Sequence, residues 1–536
     1  MSSVADSLAA PPSSRPVLDR KPSLSTRLVF LVLVLVGIGY TGFSLVSDIS
    51  GSSGHVATIL PYFLLGVALL IALGFEFVNG FHDTANAVAT VIYTHSLPPH
   101  VAVVYSGTLN FIGVLLSSGA VAFGIISLLP VELILQVGSG AGFAMVFALL
   151  IAAILWNLGT WWLGLPASSS HTMIGSIIGV GVANALMHGR DGTSGVDWAQ
   201  ATKIGYSLLL SPLVGFICAA LLLLLLKVLV KNRDLYQEPR ASSSPPWWIR
   251  GILILTCGGV SFAHGSNDGQ KGMGLIMLIL IGTVPITYAL NRAMPAQQMA
   301  PFIQTASETR QALQQAAPGA APADPREVLS TYVRTHSWND QVVPALASIT
   351  GSIGEQVKAS GTFAQIPGES VTNVRNDMYL TSEAIRFFSK DAHAKTLPAA
   401  TRKELDGFKK QIDLATKFIP LWVKVAVAIA LGLGTMVGWK RIVVTIGEKI
   451  GKTHLTYAQG ACAELVAMAT IAAADNFGLP VSTTHVLSSG VAGTMAANRS
   501  GLQLTTLRNL LMAWVLTLPA AILLSGSLYW LFRQIF

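Results

Sequence analysis

The chain has 536 residues, of which 52% are hydrophobic and only 11% are charged, and its formal net charge is +8. Soluble domains carry about 25% charged residues, so this composition excludes an ordinary soluble protein and predicts an all-α protein that crosses the membrane repeatedly. The excess of Lys and Arg lies between apolar runs, where it sets topology, so we expect no nucleic-acid partner. The three cysteines show neither metal-ligand spacing nor a disulfide framework, and we expect no resident metal or cofactor.

Eleven apolar segments are predicted to cross the membrane as helices. The first, residues 28–47, follows a basic stretch at residues 1–27 and is longer than the apolar part of a signal peptide, so we expect a cytoplasmic tail and a retained helix. The other ten are predicted near residues 61–94, 101–129, 141–164, 171–188, 203–228, 251–289, 419–439, 455–477, 484–498 and 507–532. Segments 171–188 and 484–498 follow Pro-Ser-rich phrases that are alternatively the tips of re-entrant hairpins, which would change the count.

Residues 290–417 interrupt this apolar pattern. They hold 14 Lys or Arg and 12 Asp or Glu, which is nearly half of the charged residues in the chain. Apolar periodicity predicts amphipathic helices near residues 378–388 and 402–418, and the Ala/Pro-rich stretch at residues 316–325 predicts a loop. We therefore predict a hydrophilic, helical insert, which the order of the spans places in the periplasm.

Two pairs of polar phrases recur within the apolar chain. They are GFHDTAN at residues 80–86 with GSNDGQK at residues 265–271, and LPASSSH at residues 165–171 with LPVSTTH at residues 479–485. Asp83 precedes His171 by 88 residues, and Asp268 precedes His485 by 89 once the 128 residues of the insert are removed. This equal spacing predicts an internal duplication.

Two repeats of about five spans each follow from the duplication. Repeat 1 is predicted over residues 60–228 and repeat 2 over residues 251–289 and 418–532, with a cytoplasmic linker at residues 229–250. An odd number of spans per repeat makes the repeats face opposite ways, as in many secondary transporters. Short loops predicted outside are poor in Lys and Arg, which agrees with this topology.

The first pair of phrases supplies charged candidate site residues. An ionised carboxylate in a membrane costs about 2.5–3.5 kcal/mol, so Asp83 and Asp268 should face a cavity or a partner. Lys271 is interpreted either as a site residue or as the ion-pair partner of Asp268. Gly80 and Gly265 are expected to let their helices break, which would expose N–H groups suited to an oxyanion.

The second pair of phrases supplies neutral hydrogen-bond donors. The candidates are Ser168, Ser169, Ser170, His171, Ser482, Thr483, Thr484 and His485. Pro166 and Pro480 are expected in the first helical turn after each break. The two histidines either belong to the site or hold the hairpin tips. Donors of this kind fit an anion, whereas the acids fit a cation, a proton or the P–OH of a protonated oxyanion.

Further ionisable residues lie within apolar runs. Glu76, Glu464 and Asp475 either carry the coupling proton or ion, or form hydrogen bonds between helices. His82 and His264 do not occupy equivalent positions, and we interpret them as packing residues or as supports of the site.

The repeated phrases resemble the duplicated signature of the Pit family of inorganic phosphate transporters, most closely its bacterial low-affinity branch. The resemblance covers residues 60–290 and 418–532. It implies a dimeric, inverted-repeat helical fold in the bacterial inner membrane. It also implies proton-coupled uptake of phosphate, partly as neutral complexes with divalent metals, with arsenate as a competing substrate.

The resemblance adds Asn86 and Asn267 to the expected site and shows two departures from the family signature. His82 stands where the first copy has Asn, and Lys271 stands where the second copy has its later Asn. An ammonium group cannot ligate sodium, so we expect Lys271 to take a sodium-like place and leave a proton as the coupling ion. A sodium-coupled symporter is the alternative.

Three other classes of function remain open on the sequence. They are an anion channel, an intramembrane hydrolase that uses Ser and His, and a membrane-anchored sensor whose insert binds a ligand. A hydroxyl residue precedes His in both halves, as Ser170 and Thr484, and duplication of a whole catalytic set is unexpected, so we expect no enzyme. The expected partners are phosphate, membrane lipid and a second copy of the chain.

Overall fold

The structure, a computed structural model, covers most of the chain. It describes residues 16, 18, 23–51, 60–83, 85–129, 133–134, 139–239 and 245–535. Ala85 and Asn86 are described without their side chains. Most of the predicted tail at residues 1–27 lies outside the described residues, as do residues 240–244 of the predicted linker. No β-strand occurs within the described ranges, which confirms an all-α fold.

The helices are labelled here in chain order. The first group comprises α1 (Leu24–Ser50), α2 (Leu60–Asp83), α3 (Ala85–Tyr93), α4 (Pro99–Leu116), α5 (Ala120–Ile126), α6 (Gly140–Trp162), α7 (Ser169–Met187) and α8 (Trp198–Leu229). The second group comprises α9 (Trp247–Thr283), α10 (Pro285–Tyr288), α11 (Met299–Ala316), α12 (Pro325–Thr335), α13 (Val342–Ser360), α14 (Gly368–Phe388), α15 (Ala399–Thr416), α16 (Leu421–Thr435), α17 (Lys440–Val444), α18 (Tyr457–Asn476), α19 (Thr483–Ala497) and α20 (Leu504–Phe532). Several begin at a capping side chain, among them Ser23 before α1 and Thr456 before α18.

Eight candidate spans among the described helices are long and apolar enough to cross a membrane. They are α1, α2 together with α3, α4, α6, α7, α8, α18 and α20. A ninth candidate is the pair α15 and α16, bent by 67° at the break between them. Helices α9 and α19 occupy the other predicted spans, but α9 contains the polar Asn-Asp phrase and α19 has only 15 residues. The multi-pass membrane fold is confirmed, and the count of eleven stays a prediction.

The insert folds as five helices, α11 to α15. Phe302 anchors their apolar core, because its ring packs against Phe363 and Phe408 at centroid distances of 5.5 Å and 5.8 Å. Helices α14 and α15 cover the segments whose periodicity predicts amphipathic helices, and the predicted Ala/Pro-rich loop connects α11 to α12. The periplasmic location of the insert stays a prediction.

An ion pair fastens the insert to the first half of the chain. Arg386 on α14 donates a hydrogen bond to Asp197, the N-cap of α8, at 2.8 Å. The same guanidinium group donates to Glu383 at 2.7 Å. The insert therefore contacts repeat 1, although the chain enters and leaves it from the predicted repeat 2.

The two halves pack against each other helix by helix. Helix α7 of the first half packs on α20 of the second, and α8 of the first half packs on α19 of the second. Likewise α4 packs on α9, and α2 packs on α16. Each contact has a counterpart with the halves exchanged, and α8 and α20 each contain an internal proline, Pro212 and Pro519. This pairing supports the duplication, whereas the opposite orientation of the repeats stays a prediction.

Gly80 and Gly265 serve close helix packing and do not break their helices. Both α2 and α9 are continuous through these positions. A Cβ at Gly80 would lie 2.2 Å from the carbonyl oxygen of Leu431, and a Cβ at Gly265 would lie 2.2 Å from that of Asn110. The expected breaks are therefore wrong, because the glycines are needed where the backbone of a neighbouring helix approaches.

Substituting Gly265 with Ala should lower the thermal stability of the protein in detergent. The new methyl group would collide with a backbone oxygen on α4, and overpacking of this kind costs about 1–3 kcal/mol. Gly251→Ala on the same helix is the matched control, because no heavy atom lies within 4 Å of its added Cβ. Thermal unfolding followed by light scattering compares the two variants, and equal unfolding temperatures would contradict the packing role.

Candidate functional site

Two helix N-termini from opposite halves face the same group of polar side chains. The N-cap of α7 is Ser168, whose hydroxyl accepts a hydrogen bond from the backbone N–H of His171 at 3.2 Å. The N-cap of α19 is Ser482, whose hydroxyl accepts from the backbone N–H of His485 at 3.1 Å. Other N–H groups in each first turn have no partner within their helix, and each helix dipole makes its N-terminus partially positive.

Pro166 and Pro480 stand two residues before these N-caps, so their expected place in the first helical turn is wrong. A serine side chain at the N-cap satisfies an N–H group of the first turn, which a proline cannot do. The proline carbonyl groups instead accept hydrogen bonds from the opposite half. Trp514 Nε1 on α20 donates to the oxygen of Pro166 at 3.1 Å, and Ser207 Oγ on α8 donates to that of Pro480 at 3.2 Å.

The two tips also contact each other directly. The ring of His171 lies 4.7 Å from that of His485, centroid to centroid, and His485 stacks on Trp514 at 4.1 Å. Ser170 Oγ donates a hydrogen bond to the carbonyl oxygen of Val481 at 2.6 Å. These contacts fit the interpretation of the histidines as groups that hold the tips together.

Asp83 lies where the two helix N-termini approach each other. Its Oδ2 accepts a hydrogen bond from Ser169 Oγ, and its Oδ1 accepts one from Thr484 Oγ1, both at 2.6 Å. His82 Nδ1 lies 3.1 Å from Oδ1, and His82 Nε2 lies 3.2 Å from Thr160 Oγ1. The Asp83 side chain is buried, so one carboxylate connects α2 with the first turns of α7 and α19.

Asp268 lies beside the same serine and carries an ion pair. Its Oδ2 is 2.6 Å from Lys271 Nζ, and both side chains are fully buried. Ser169 Oγ lies 3.2 Å from the same oxygen, so this hydroxyl stands between the two aspartates. His264 Nε2 lies 3.5 Å from Asp268 Oδ2, one helical turn away on α9. The structure thus brings Asp83, Asp268 and Lys271 into one cluster.

Asn267 joins the unbroken helix α9 to the tip before α19. Its Nδ2 donates to the carbonyl oxygen of Leu479 at 3.1 Å, and its Oδ1 accepts from the N–H of Val481 at 3.5 Å. The second aspartate phrase therefore contributes side chains to the cluster and no helix N-terminus. Asn86 is also a predicted site residue, but its side chain lies outside the described residues.

A small cavity borders the cluster. Its volume is about 10 Å³, and the lining includes Asp83, His264, Asn110 and Thr483. The hydroxyl of Thr483 has no hydrogen-bond partner among the described residues. A volume of this size holds about one water molecule. A tetrahedral oxyanion would therefore need the tips or the surrounding helices to move apart.

The cluster offers ligand atoms of a kind that also bind cations. One atom each from Asp83, His264 and Asp268 lie within 4.8 Å of one another, and all three residues are buried. The ammonium group of Lys271 already lies against Asp268 as a fixed positive charge. The chemistry of the site is therefore mixed, with hydroxyl, N–H and ammonium donors for an anion and carboxylates that accept protons.

The three other acidic candidates lie in different surroundings. Glu76 on α2 is buried against Gly272. A Cβ added to Gly272 would lie 2.4 Å from Glu76 Oε1. Glu464 on α18 is buried and accepts hydrogen bonds from the hydroxyl groups of Thr90 and Thr256.

Asp475 joins the end of α18 to α9. Its Oδ2 accepts a hydrogen bond from Ser266 Oγ at 2.7 Å, and its Oδ1 accepts one from Gln270 Nε2 at 2.6 Å. The side chain is only half-buried. Its contacts fit a hydrogen-bonding role between helices.

Two histidines and one asparagine contribute more than their sequence positions indicate. His82 and His264 each contact an aspartate of the cluster, and His264 Nδ1 also lies 2.9 Å from Asn110 Oδ1. The sequence spacing indicates both contacts, because His82 directly precedes Asp83 and His264 stands four residues, about one helical turn, before Asp268. Asn110 gives no such signal, since its relation to α9 depends on tertiary packing.

Comparisons with known proteins show the family to which this chain is related. The sequence profile of the phosphate transporter family matches residues 79–525. The chain is 42% identical over 490 residues to the low-affinity inorganic phosphate transporter PitA of Escherichia coli strain K12, covering 88% of this chain and 97% of that protein. It is 39% identical over 480 residues to a low-affinity inorganic phosphate transporter of Buchnera aphidicola subsp. Acyrthosiphon pisum, covering 87% and 96% of the two chains.

A solved structure is also similar to this chain. It is described as the sodium-dependent phosphate transporter, with a TM-score of 0.49 and 20% sequence identity. The match covers 88% of this chain and all of that chain.

Ser169→Ala should destabilise the protein, because it removes the hydroxyl between two buried carboxylates. A hydrogen bond to a charged group contributes about 1.5–3 kcal/mol. Ser176→Ala is the matched control on the same helix, since its hydroxyl only bonds the carbonyl oxygen of Thr172 one turn back. Thermal unfolding in detergent should show a lower midpoint for the first variant. A shift of the same size in the control would argue against a bridging role.

Proposed function

Because the chain belongs to the phosphate transporter family and resembles its bacterial low-affinity members, we propose that it imports inorganic phosphate across the bacterial inner membrane in symport with protons. Alternating access would come from movement of one repeat against the other around a shared site. The chain is a multi-pass membrane protein, and the relatives it matches are transporters and not enzymes.

The observation that carries the proposal is the buried cluster at which both helix N-termini meet. Phosphate needs donors from several sides, and the first turns of α7 and α19 provide N–H groups together with the hydroxyl groups of Ser169, Thr483 and Thr484. Lys271 adds a full positive charge. Asp83 and Asp268 accept hydrogen bonds, so in this site they would accept from the P–OH groups of a protonated phosphate.

The ion pair of Lys271 favours a proton over sodium as the coupling ion. A sodium ion at Asp83, His264 and Asp268 would lie next to an ammonium group of the same charge, which disfavours it. Glu76, Glu464 and Asp475 are carboxyl groups in the apolar segments that could carry a proton. A sodium-coupled symporter remains the alternative, and the lysine variant described below distinguishes the two.

The hydrolase considered on the sequence does not fit the contacts. Ser170 Oγ donates to the carbonyl oxygen of Val481, and Thr484 Oγ1 donates to Asp83, so neither hydroxyl is oriented towards the adjacent histidine. A nucleophile requires such a base within hydrogen-bond reach. The arrangement supports binding of an oxyanion without covalent chemistry.

We extend the proposal to the form of the substrate and to the assembly. Arsenate is a tetrahedral oxyanion like phosphate, and hydroxyl and N–H donors would accept both. The carboxylates of Asp83 and Asp268 would face the metal of a neutral metal–phosphate complex, if that is the transported form. Exposed apolar side chains cover much of α1 and α8, and membrane lipid and a second copy of the chain are the partners that suit them.

Asp83→Asn and Asp268→Asn should each abolish phosphate uptake without loss of membrane expression. Each change keeps the size of the side chain but removes a buried charge to which the surrounding donors are oriented. Radiolabelled phosphate uptake by proteoliposomes measures the effect, and Asp191→Asn in an exposed turn is the control. Uptake at the wild-type rate in either variant would remove that aspartate from the proposed site.

Lys271→Asn should make uptake respond to sodium and weaken its dependence on a proton gradient. The change removes the ammonium group and supplies an amide oxygen that ligates sodium. Uptake is measured with sodium and the pH gradient varied independently. Unchanged proton dependence with no sodium response would contradict the assigned role of Lys271. An electrogenic phosphate current in the wild type that is independent of a proton gradient would instead favour an anion channel.

A further inference from the structure

Glu76 is the acidic candidate outside the cluster whose carboxyl group lies against the residue that follows Lys271. It lies on α2, seven residues before Asp83, and its side chain is fully buried. Asn79 Nδ2 donates to its Oε2 at 3.5 Å, and its Oε1 has no side-chain hydrogen-bond partner among the described residues. Oε1 lies against the backbone of Gly272, the residue that follows Lys271.

The ammonium group of Lys271 is the positive charge that attracts the Glu76 carboxylate. Electrostatic attraction by Lys271 and repulsion by Asp268 both act on the Glu76 carboxyl group. Lys271 is at the same time the ion-pair partner of Asp268 at 2.6 Å. One buried cation therefore attracts two carboxylates, Asp268 and Glu76, which lie on different halves of the chain.

Apart from α9, which carries Lys271, the described helices with the most contact to α2 supply no cation that pairs with Glu76. Helices α3 and α6 contain no charged residue. On α16 the only charged side chain is Lys424, whose ammonium group donates to the carbonyl oxygen of Ser117. On α2 itself, His82 and Asp83 are bonded to each other. Burial disfavours the ionised form of Glu76, and among the described residues Lys271 and Asp268 are the charged groups that act on it.

We infer that Glu76 takes up the coupling proton and that Lys271 links this proton to phosphate, which rests on the proposed function. Without phosphate, Lys271 forms an ion pair with Asp268 and also attracts the ionised form of Glu76. Bound phosphate attracts the ammonium group, and Glu76, buried and without its counter-charge, accepts a proton at Oε1 from the outer water. Release of phosphate to the inside returns Lys271 to Glu76, and the proton leaves to the inner water.

The linkage is reciprocal, because protonation of Glu76 frees the charge of Lys271 for the substrate. The same coupling free energy that makes phosphate favour the proton makes the proton favour phosphate. Neither Glu464 nor Asp475 has this relation to the site. Glu464 is bonded to two threonine hydroxyl groups, and Asp475 is bonded to Ser266 and Gln270.

Glu76→Gln separates coupling from phosphate movement. Gln keeps the size of the side chain but cannot take up a proton, so we expect loss of accumulation driven by a pH gradient and retention of phosphate–phosphate exchange at equal pH on both sides. The apparent affinity of the wild type for phosphate should fall by about tenfold from mildly acidic to mildly alkaline pH, a common size for coupling, and that of Glu76→Gln should not change. Asp48→Asn, which removes a carboxylate bonded to Tyr288 and Trp422, should keep accumulation and exchange.

Three outcomes of the transport assays distinguish a coupling role of Glu76 from a structural role and from failure of the proposed function. Accumulation by Glu76→Gln at the wild-type level overturns the inference. Loss of both activities in a folded Glu76→Gln protein also overturns it, since that result indicates a structural role. Absence of both activities in the wild type contradicts the proposed function and not the choice of Glu76.

The wild-type protein offers a test that does not depend on a variant. Phosphate binding should produce the infrared band of a newly protonated carboxyl group in purified, detergent-solubilised protein. The band should be missing in Glu76→Gln and present in Asp48→Asn. A wild-type spectrum without such a band overturns the inference even if Glu76→Gln fails to fold.

Discussion

Two carboxylates buried in the interior of a membrane protein need hydrogen-bond donors, and this requirement organises the site. Asp83 and Asp268 stand on different halves of the chain, and no single helix supplies enough donors for both. The chain meets the requirement by directing the first turns of α7 and α19 at the same point. Ser169 serves both acids, so the halves cannot separate fully without leaving a buried charge poorly paired.

The sequence predicts much of this arrangement because duplication leaves a record in spacing. Apolar runs indicate the membrane helices, and the repeated phrases identify Asp83, Asp268 and the hydroxyl-rich tips. Lys271 follows Asp268 by three residues, so their ion pair is also predictable from helical periodicity. These features are local, or recur at a fixed interval, and therefore need no knowledge of the tertiary fold.

Other features depend on which helices become neighbours, which spacing does not reveal. The sequence predicts a helix break at Gly80, but the actual constraint there is the backbone of α16, more than 350 residues away in the chain. Thr484 bonds Asp83 across 401 positions. The predicted position of Pro166 and Pro480 in a first helical turn is wrong for a related reason. The partners of their carbonyl groups lie on the opposite half of the chain.

The exchange of partners between halves has a consequence for synthesis. The tip before α7 is held by Trp514 on α20, the last helix of the chain. A ribosome that has completed the first half has therefore produced polar membrane segments whose partners do not yet exist. These segments must persist in the bilayer, or be shielded by the insertion machinery, until α20 emerges. A chain truncated before Trp514 would therefore lose a contact at the first tip as well as the stacking on His485 at the second.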